Sequence, residues 1–361
     1  MAKEKKILRL NTRAFDETWH RQYAYTHLKE NWSPAPWKKE LMYFVIDWLS
    51  ENKMVTVQTS GSTGTPKKIR VQKKYMEASA RMTLDFFDLK PGDKALLCLP
   101  ITTIAAKMMV VRAFTGKLDL YCIEPKLYPY SKWTPELDFA AMTPAQADKL
   151  LETREGIFFL NRIKKLLLGG SALSLPLDKK LQKLKTTEVW HSYGMTETLS
   201  HVALRKVNEP NKTTGFCALP GVSLSQNSDG SLRITAPHLG ISDLKTHDVA
   251  EFLPDGSFRI SGRTDNVINS GGVKLFPEKI EQKLSPYISK PFYIGKQPDH
   301  QLGERPLLLI ESKPWPEKQM LQLRKQIKEI LEKYEIPRKV IFIEKFPRTV
   351  SGKIIRKQIK E

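Results

Sequence analysis

Residues 59–68 read Thr59-Ser60-Gly61-Ser62-Thr63-Gly64-Thr65-Pro66-Lys67-Lys68, directly after the apolar run Met54-Val55-Thr56-Val57. Such a loop could hold phosphates. Gly61 and Gly64 accept backbone angles that other residues avoid and let N–H groups approach an anion closely. The hydroxyls of Thr59, Ser60, Ser62 and Thr63 and the ammonium of Lys67 would add donors. No Gly-Lys-Ser/Thr follows Gly61 at the interval of a Walker A loop, so a different nucleotide-binding arrangement is indicated. On the loop alone, a phosphate cradle and a solvated Ser/Thr/Gly linker serve equally well.

Three further segments separate those readings. The first is Ser192-Tyr193-Gly194-Met195-Thr196-Glu197-Thr198. The second runs from His247-Asp248 through Gly262-Arg263-Thr264-Asp265-Asn266 to Gly271-Gly272 and Glu278-Lys279-Ile280-Glu281. The third is Pro347-Arg348-Thr349-Val350-Ser351-Gly352-Lys353. Taken in order with the loop, they resemble the adenylate-forming superfamily of acyl-CoA synthetases, luciferases and peptide-synthetase adenylation domains.

The resemblance implies that a carboxylate attacks the α-phosphate of ATP, releasing pyrophosphate, and that CoA then displaces AMP from the acyl-adenylate. Such catalysis rests on placing positive charge and N–H donors where negative charge accumulates. By resemblance, Lys353 bridges the carboxylate and the α-phosphate, a task suited to a compact ammonium with three donors. Glu197 holds Mg²⁺, which needs only one or two carboxylates beside phosphate oxygens and water, and Thr196 contacts phosphate. Tyr193, within the Ser192–Met195 segment, stacks on adenine, with Gly169, Gly170 and Ser171 as the backbone wall of the base pocket. Asp248 accepts both ribose hydroxyls, as a carboxylate can, and Arg263 lies beside it. Asp265 is the hinge, and the Ser270-Gly271-Gly272 loop faces the tunnel for CoA.

For the acid, Leu99-Pro100-Ile101-Thr102-Thr103 stands where many relatives carry Pro-x-Phe-His, with Thr103 replacing the histidine. Within the superfamily, Ser192 to Ser200, the Lys107 to Arg112 stretch and the short N-terminal region are most similar to the o-succinylbenzoate-CoA ligases of menaquinone biosynthesis. A dicarboxylate would need a cation for its second carboxylate, and Lys107 or Arg112 could supply it; both could equally be helix-surface charges. A ligase for another aromatic or short-chain acid, and a noncatalytic nucleotide or nucleic-acid binder, are the competing readings.

These residues must be positioned by an α/β layer fold. From Asp93 onward, β-forming runs (Lys94–Leu99, Lys117–Ile123, Leu137–Met142, Ile163–Leu168, Val189–Ser192) alternate with helical stretches (Ile104–Phe114, after Pro144, Ser174–Leu184), as in parallel βαβ units. Tyr193 to Thr198 would then lie at a strand's C-terminal end, where open α/β sheets place ligands. After Pro210 short strands meet at Asp229-Gly230 and Asp255-Gly256, both hairpin signals. Residues 1–264 are expected to form the large domain, including a minimal N-terminal region 1–53. Residues 265–361 would form a small mobile α+β cap with helices Pro277–Leu284 and Pro316–Tyr334 and strands Pro306–Ile310 and Val340–Ile343.

With 40% apolar residues the 361-residue chain can build real cores. It contains no apolar run of the ~18 residues that span a bilayer and no secretory leader, which points to the cytoplasm without stable membrane insertion. The net charge of +20 is spread through the chain without interleaved aromatics, a basic surface suited to ATP and CoA rather than to nucleic acid. Cys98, Cys122 and Cys217 have no metal or disulfide spacing and read as small core hydrophobes; Trp19, Trp32, Trp37 and Trp48 read as packing onto the large domain. A homodimer is compatible with the sequence.

Overall fold

The computed structural model describes residues 8–10, 13–15, 35–58, 67–132, 134–348 and 354–356. Thr59 to Gly64, Trp19, Trp32 and Lys353 lie outside the described residues.

The apolar runs that alternate with helices pair into one sheet. Its order is Cys217–Ala218, His201–Lys206, Glu188–Gly194, Ile163–Leu168, Leu137–Met142, Lys94–Leu97, Asp119–Cys122, Leu8–Leu10, Arg13–Phe15. The six strands from Glu188–Gly194 to Leu8–Leu10 are parallel; His201–Lys206 and Arg13–Phe15 pair antiparallel at the two ends of that block, and Cys217–Ala218 pairs antiparallel with His201–Lys206. Leu96, Phe139, Ala140 and Leu166 are fully buried, because a parallel strand covered on both faces must be apolar throughout.

Helix starts follow side-chain chemistry. Thr143 and Gln146 form a reciprocal cap at Pro144–Leu150, and Ser174 accepts from Leu177 N at Leu175–Leu181. Helix Ile104–Gly116 ends on Lys117 in the left-handed conformation, so the next strand begins at Asp119 rather than at Lys117. The Lys94 strand stops at Leu97, ahead of Pro100. Met54–Gln58 pairs antiparallel with Lys68–Gln72, closing at Gln58–Lys68, so residues 59–67 join two paired strands.

Ser223–Gln226, Ser231–Ala236, Ile241–Phe252 and Phe258–Arg263 form an antiparallel sheet, with Asp229-Gly230 and Asp255-Gly256 at its turns. A five-stranded sheet follows, built from Ile268–Ser270, Val273–Leu275, Phe292–Asp299, Gly303–Glu311 and Val340–Ile343, with helices Pro277–Leu284 and Glu317–Ile330. Its apolar clusters draw only on residues 268–354, whereas those of the other sheets draw on residues 37–260. The Glu317 helix ends at Ile330, short of Tyr334, because Leu331 turns extended and enters the core.

Trp48 is buried and Trp37 packs on the same cluster. Burial pushes the thiols of Cys98 and Cys122 up to about 12. Cys217 corrects the expectation of a core hydrophobe: its two-residue edge strand leaves it exposed. Among the described residues no helix is long and apolar enough to cross a membrane.

Candidate active site

The parallel register Leu168↔His191 brings two loops together at the carboxyl ends of neighbouring strands. Gly169 and Ser192 touch there: a Cβ on Gly169 would lie 2.4 Å from Ser192 Oγ, which donates to Leu168 O at 3.0 Å. A side chain at Gly169 would displace Ser192 Oγ from that bond. Gly170 then turns at φ +91° and Ser171 O meets the His191 ring at 3.0 Å. Burial, and then the Arg205 charge, push His191 down to about 4, so the imidazole is neutral.

Tyr193 continues that strand toward the antiparallel sheet. Its ring meets Phe258 edge-on at 5.4 Å, and its hydroxyl donates to Asp248 Oδ2 at 2.7 Å. Burial, reinforced by the Asp248 charge, holds the phenol far above its usual range, so it stays a donor. Asp248 faces Arg263 across the register of their strands, and Arg263 Nη1 donates to Asp248 Oδ1 at 2.9 Å. Arg263 Nε and Nη2 grip Asp265 at 2.9 and 2.8 Å. Burial works to raise the Asp265 carboxyl, but the guanidinium outweighs it and holds the group below the usual range. Tyr193, Asp248, Arg263 and Asp265, spread over the sequence, thus form one chain of charge-assisted bonds.

The turn after Gly194 carries Met195, Thr196 and Glu197. Thr198 Oγ1 accepts from Met195 N at 2.9 Å and lies 2.6 Å from Ser200 O, and Leu199 N donates to Thr196 O at 3.0 Å. Gly194 has no room for a side chain, since a Cβ would meet Ser200 O at 2.1 Å. Thr196 is buried and Glu197 exposed; among the described residues no group engages the Glu197 carboxylate. A lone exposed carboxylate is the kind of protein ligand Mg²⁺ takes when its remaining ligands come from phosphate and water.

The three residues expected at the acid pocket separate. Thr103 caps helix Ile104–Gly116, accepting from Ala106 N at 3.3 Å and donating to Pro100 O at 2.7 Å. Lys107 turns away, donating to Thr56 O at 2.8 Å with its ammonium 5.2 Å from the Phe44 ring centre. Arg112, 2% exposed, is no surface charge: Nε donates to Thr83 Oγ1 at 3.0 Å and Nη2 to Ser200 Oγ at 2.5 Å. Burial lowers it only to about 9, so it remains a cation at neutral pH.

Ser270, Gly271 and Gly272 form the tip of the hairpin pairing Ile268–Ser270 with Val273–Leu275. Gly271 (φ +59°) and Gly272 (φ +81°) are both left-handed, as a two-residue type I′ turn demands. A Cβ on Gly271 would meet Leu302 and Tyr334, whereas one on Gly272 would meet nothing. Lys67 is exposed at the base of the 59–67 connection. His201 meets both Thr83 and Ser200 beside Arg112; no local sequence pattern foreshadows Thr83 or His201, and Ser200 enters only as the end of the Ser192 to Ser200 stretch.

The sequence profile of the AMP-binding enzyme family matches residues 9–227. The 2-succinylbenzoate–CoA ligase of Listeria monocytogenes serovar 1/2a is 27% identical over 326 residues, covering 84% of this chain and 68% of the relative. The crystal structure of an acyl-CoA synthetase (AMP-forming)/AMP-acid ligase II-like protein from Dyadobacter fermentans superposes with a TM-score of 0.60 at 34% identity, covering 89% of this chain and 93% of that one. The o-succinylbenzoate CoA synthetase of Bacillus subtilis, solved with its acyl-adenylate intermediate, gives a TM-score of 0.70 at 22% identity over 85% of this chain and 68% of that one, a likeness of fold.

Proposed function

This chain belongs to the AMP-binding enzyme family, and from that premise we propose that it is an AMP-forming acid–thiol ligase that activates o-succinylbenzoate. A carboxylate oxygen of the acid attacks the α-phosphorus of ATP and the bond to the bridging oxygen breaks, releasing pyrophosphate. The thiolate of CoA then attacks the acyl carbon, and AMP leaves with the oxygen that linked it.

One observation carries the reading: Tyr193, Asp248 and Arg263 converge beside the bare backbone of Gly169 and Gly170. That group offers a ring, a carboxylate able to accept two hydroxyls, and a cation, the components a nucleoside monophosphate requires. Asp248 would exchange its bond from Tyr193 for the ribose hydroxyls, and Ser192, Gly194 and Met195 would line the approach. Thr196, with Thr59, Ser60, Gly61, Ser62, Thr63, Gly64 and Lys67 from the 59–67 connection, would hold the phosphates. Lys353 would steady the charge developing between carboxylate and α-phosphate. Mg²⁺ at Glu197 would supply compensation for the charge that accumulates on pyrophosphate.

Asp265 is proposed as the hinge between the large domain, residues 1–264, and a mobile cap, residues 265–361. The separate apolar clusters on its two sides support that division. Gly271 and Gly272, with Ser270, would border the path of the CoA arm once the cap has turned. Arg112 is proposed to receive the second carboxylate of the acid, being a buried cation bonded to Ser200, three residues after Glu197. The reaction would belong to the cytoplasm, on free ATP, CoA and acid, without nucleic acid.

The experiment is carboxylate-dependent exchange of labelled pyrophosphate into ATP, run with o-succinylbenzoate and a panel of aromatic and short-chain acids. Exchange greatest with o-succinylbenzoate supports the reading. Greater exchange with another acid keeps the chemistry and replaces the substrate, and silence with every acid overturns both.

A further inference from the structure

Arg112 is a buried cation whose hydrogen-bond partners among the described residues are all neutral. Its Nε meets Thr83 Oγ1, its Nη1 meets the Met109 sulfur at 3.6 Å, and its Nη2 meets Ser200 Oγ. Desolvation acts on it with no compensating carboxylate charge among the described residues. Removing one partner of a buried ion pair is costly because it strands a charge. A protein that keeps such a charge stranded by its own design leaves an opening for an anion that arrives with a ligand.

His201 fixes the direction of every proton around that cation. Thr83 Oγ1 donates to Ser79 O at 3.2 Å, so its single proton is committed and it can only accept from Arg112 Nε and from the His201 ring. His201 Nε2, 3.3 Å away, is therefore the protonated nitrogen. His201 is fully desolvated, and burial together with the Arg112 charge hold it well below its ordinary pKa, so the ring is neutral and Nδ1 is bare. Nδ1, 3.2 Å from Ser200 Oγ, then accepts the Ser200 proton. That leaves the Ser200 lone pairs turned to Arg112 Nη2. The guanidinium is held by acceptors on Nε and Nη2, while Nη1 has only a thioether, a weak acceptor. One turn before Thr83, Ser79 is buried with its hydroxyl lacking a partner among the described residues.

We infer that His201, acting through Ser200 and Thr83, is a positioning residue that orients Arg112 toward the second carboxylate of a dicarboxylate substrate and so sets the preference for diacid over monoacid. This rests on the reading of Arg112 as the receiver of that carboxylate. The neutral ring matters as much as its place. A second cation here would repel Arg112, and an anion would neutralise it before substrate arrived. The arrangement keeps one positive charge, in one orientation, facing an incoming anion.

The test compares o-succinylbenzoate with 4-oxo-4-phenylbutanoate, the same acid without the ring carboxylate, in the wild-type enzyme and in Arg112→Met, His201→Leu and His201→Asn. His201→Leu is expected to lower the ratio of kcat/KM values, diacid over monoacid, roughly tenfold through KM for the diacid, the scale of one charge-assisted bond. His201→Asn, whose amide oxygen can replace Nδ1 as acceptor for Ser200, is expected to recover part of the ratio. Thermal midpoints of all variants report folding separately. An equal fall for both acids, or an unchanged ratio in a folded His201→Leu, overturns the proposal. If Arg112→Met also leaves the ratio unchanged, the fault lies with the acid-site reading; if Arg112→Met collapses the ratio while His201→Leu does not, it lies with His201 alone.

Discussion

Tyr193 donates its phenolic proton to Asp248 at 2.7 Å, tying the carboxyl end of strand Glu188–Gly194 to the antiparallel sheet. The bond joins two groups for which the family resemblance implies separate duties, one against the base and one against the sugar. Tyr193→Phe keeps the ring and its edge-on packing with Phe258 and removes only the donor. A neutral hydrogen bond to a charged acceptor is worth about 1.5–3 kcal/mol. The variant is expected to change KM for ATP by roughly tenfold with kcat within a factor of about two, measured by steady-state pyrophosphate release.

Arg112→Met replaces the buried cation by a side chain of similar length. The loss of one charge-assisted contact predicts a fall in kcat/KM for o-succinylbenzoate of roughly 10- to 100-fold. Activity on 4-oxo-4-phenylbutanoate should hold within a few-fold, because that acid has no second carboxylate to lose. Initial rates with the two acids, at saturating ATP and CoA, decide it.

Gly194→Ala places a methyl group 2.1 Å from Ser200 O and 2.6 Å from His201 Cα, both main-chain atoms that cannot rotate aside. Overpacking of this kind costs about 1–3 kcal/mol. The thermal midpoint is expected to fall by several degrees, and adenylation more than stability, because the displaced segment carries Thr196 and Glu197. Midpoint and pyrophosphate exchange measured on one preparation separate the two effects.

The Gly271-Gly272 turn discriminates between the half-reactions. Bulk at Gly271 would press on Leu302 and Tyr334 within its own unit, whereas Gly272 faces open space. Gly272→Phe is therefore the cleaner probe, at the cost of a strained φ of +81°. Thioester formation is expected to drop at least about tenfold through lost alignment of the thiol, with pyrophosphate exchange nearly unchanged. Equal loss of both would argue against a CoA path at this turn.

Acid stability carries a signature of His191, which burial pushes down to about 4. The folded value lies below the unfolded one, so the unfolded chain binds the extra proton. The contribution is complete above about pH 6.5 and is lost as pH falls toward 4, by up to about 3 kcal/mol. Glu281 acts in the opposite sense: burial, only partly offset by Arg356, raises it to about 7, so its contribution is lost as pH rises through that value. Urea midpoints between pH 4 and 7.5 should rise less steeply with pH in His191→Gln, and more steeply in Glu281→Gln, than in the wild type.

Much of the scaffold was legible because buried parallel strands announce themselves. Leu137–Met142 and Ile163–Leu168 were bounded to the residue by their apolar runs, and the two Asp-Gly turns by the backbone they require. Thr103 was noticed for the residue it replaces, while its engagement as a helix cap became visible only with Ala106 N beside it. The Arg112 cluster was hidden for a plain reason. Its partners Thr83 and Ser200 lie 29 and 88 positions away, and no periodicity connects side chains that meet only across packed elements. Burial of Arg112 was equally invisible, since its helix is apolar nearly all round and gives a charged residue no polar face to mark. Cys217 misled because edge strands expose residues that composition alone assigns to cores.

The central claim, that an acyl-adenylate forms, is tested most directly by following oxygen. The enzyme would be incubated with o-succinylbenzoate carrying ¹⁸O in both carboxylates, with ATP, Mg²⁺ and CoA, and the nucleotide product analysed by mass spectrometry. The account predicts AMP bearing one ¹⁸O, delivered by the carboxylate that attacked the α-phosphorus, together with the acyl-CoA. Unlabelled AMP, or label found in orthophosphate beside ADP, would contradict it.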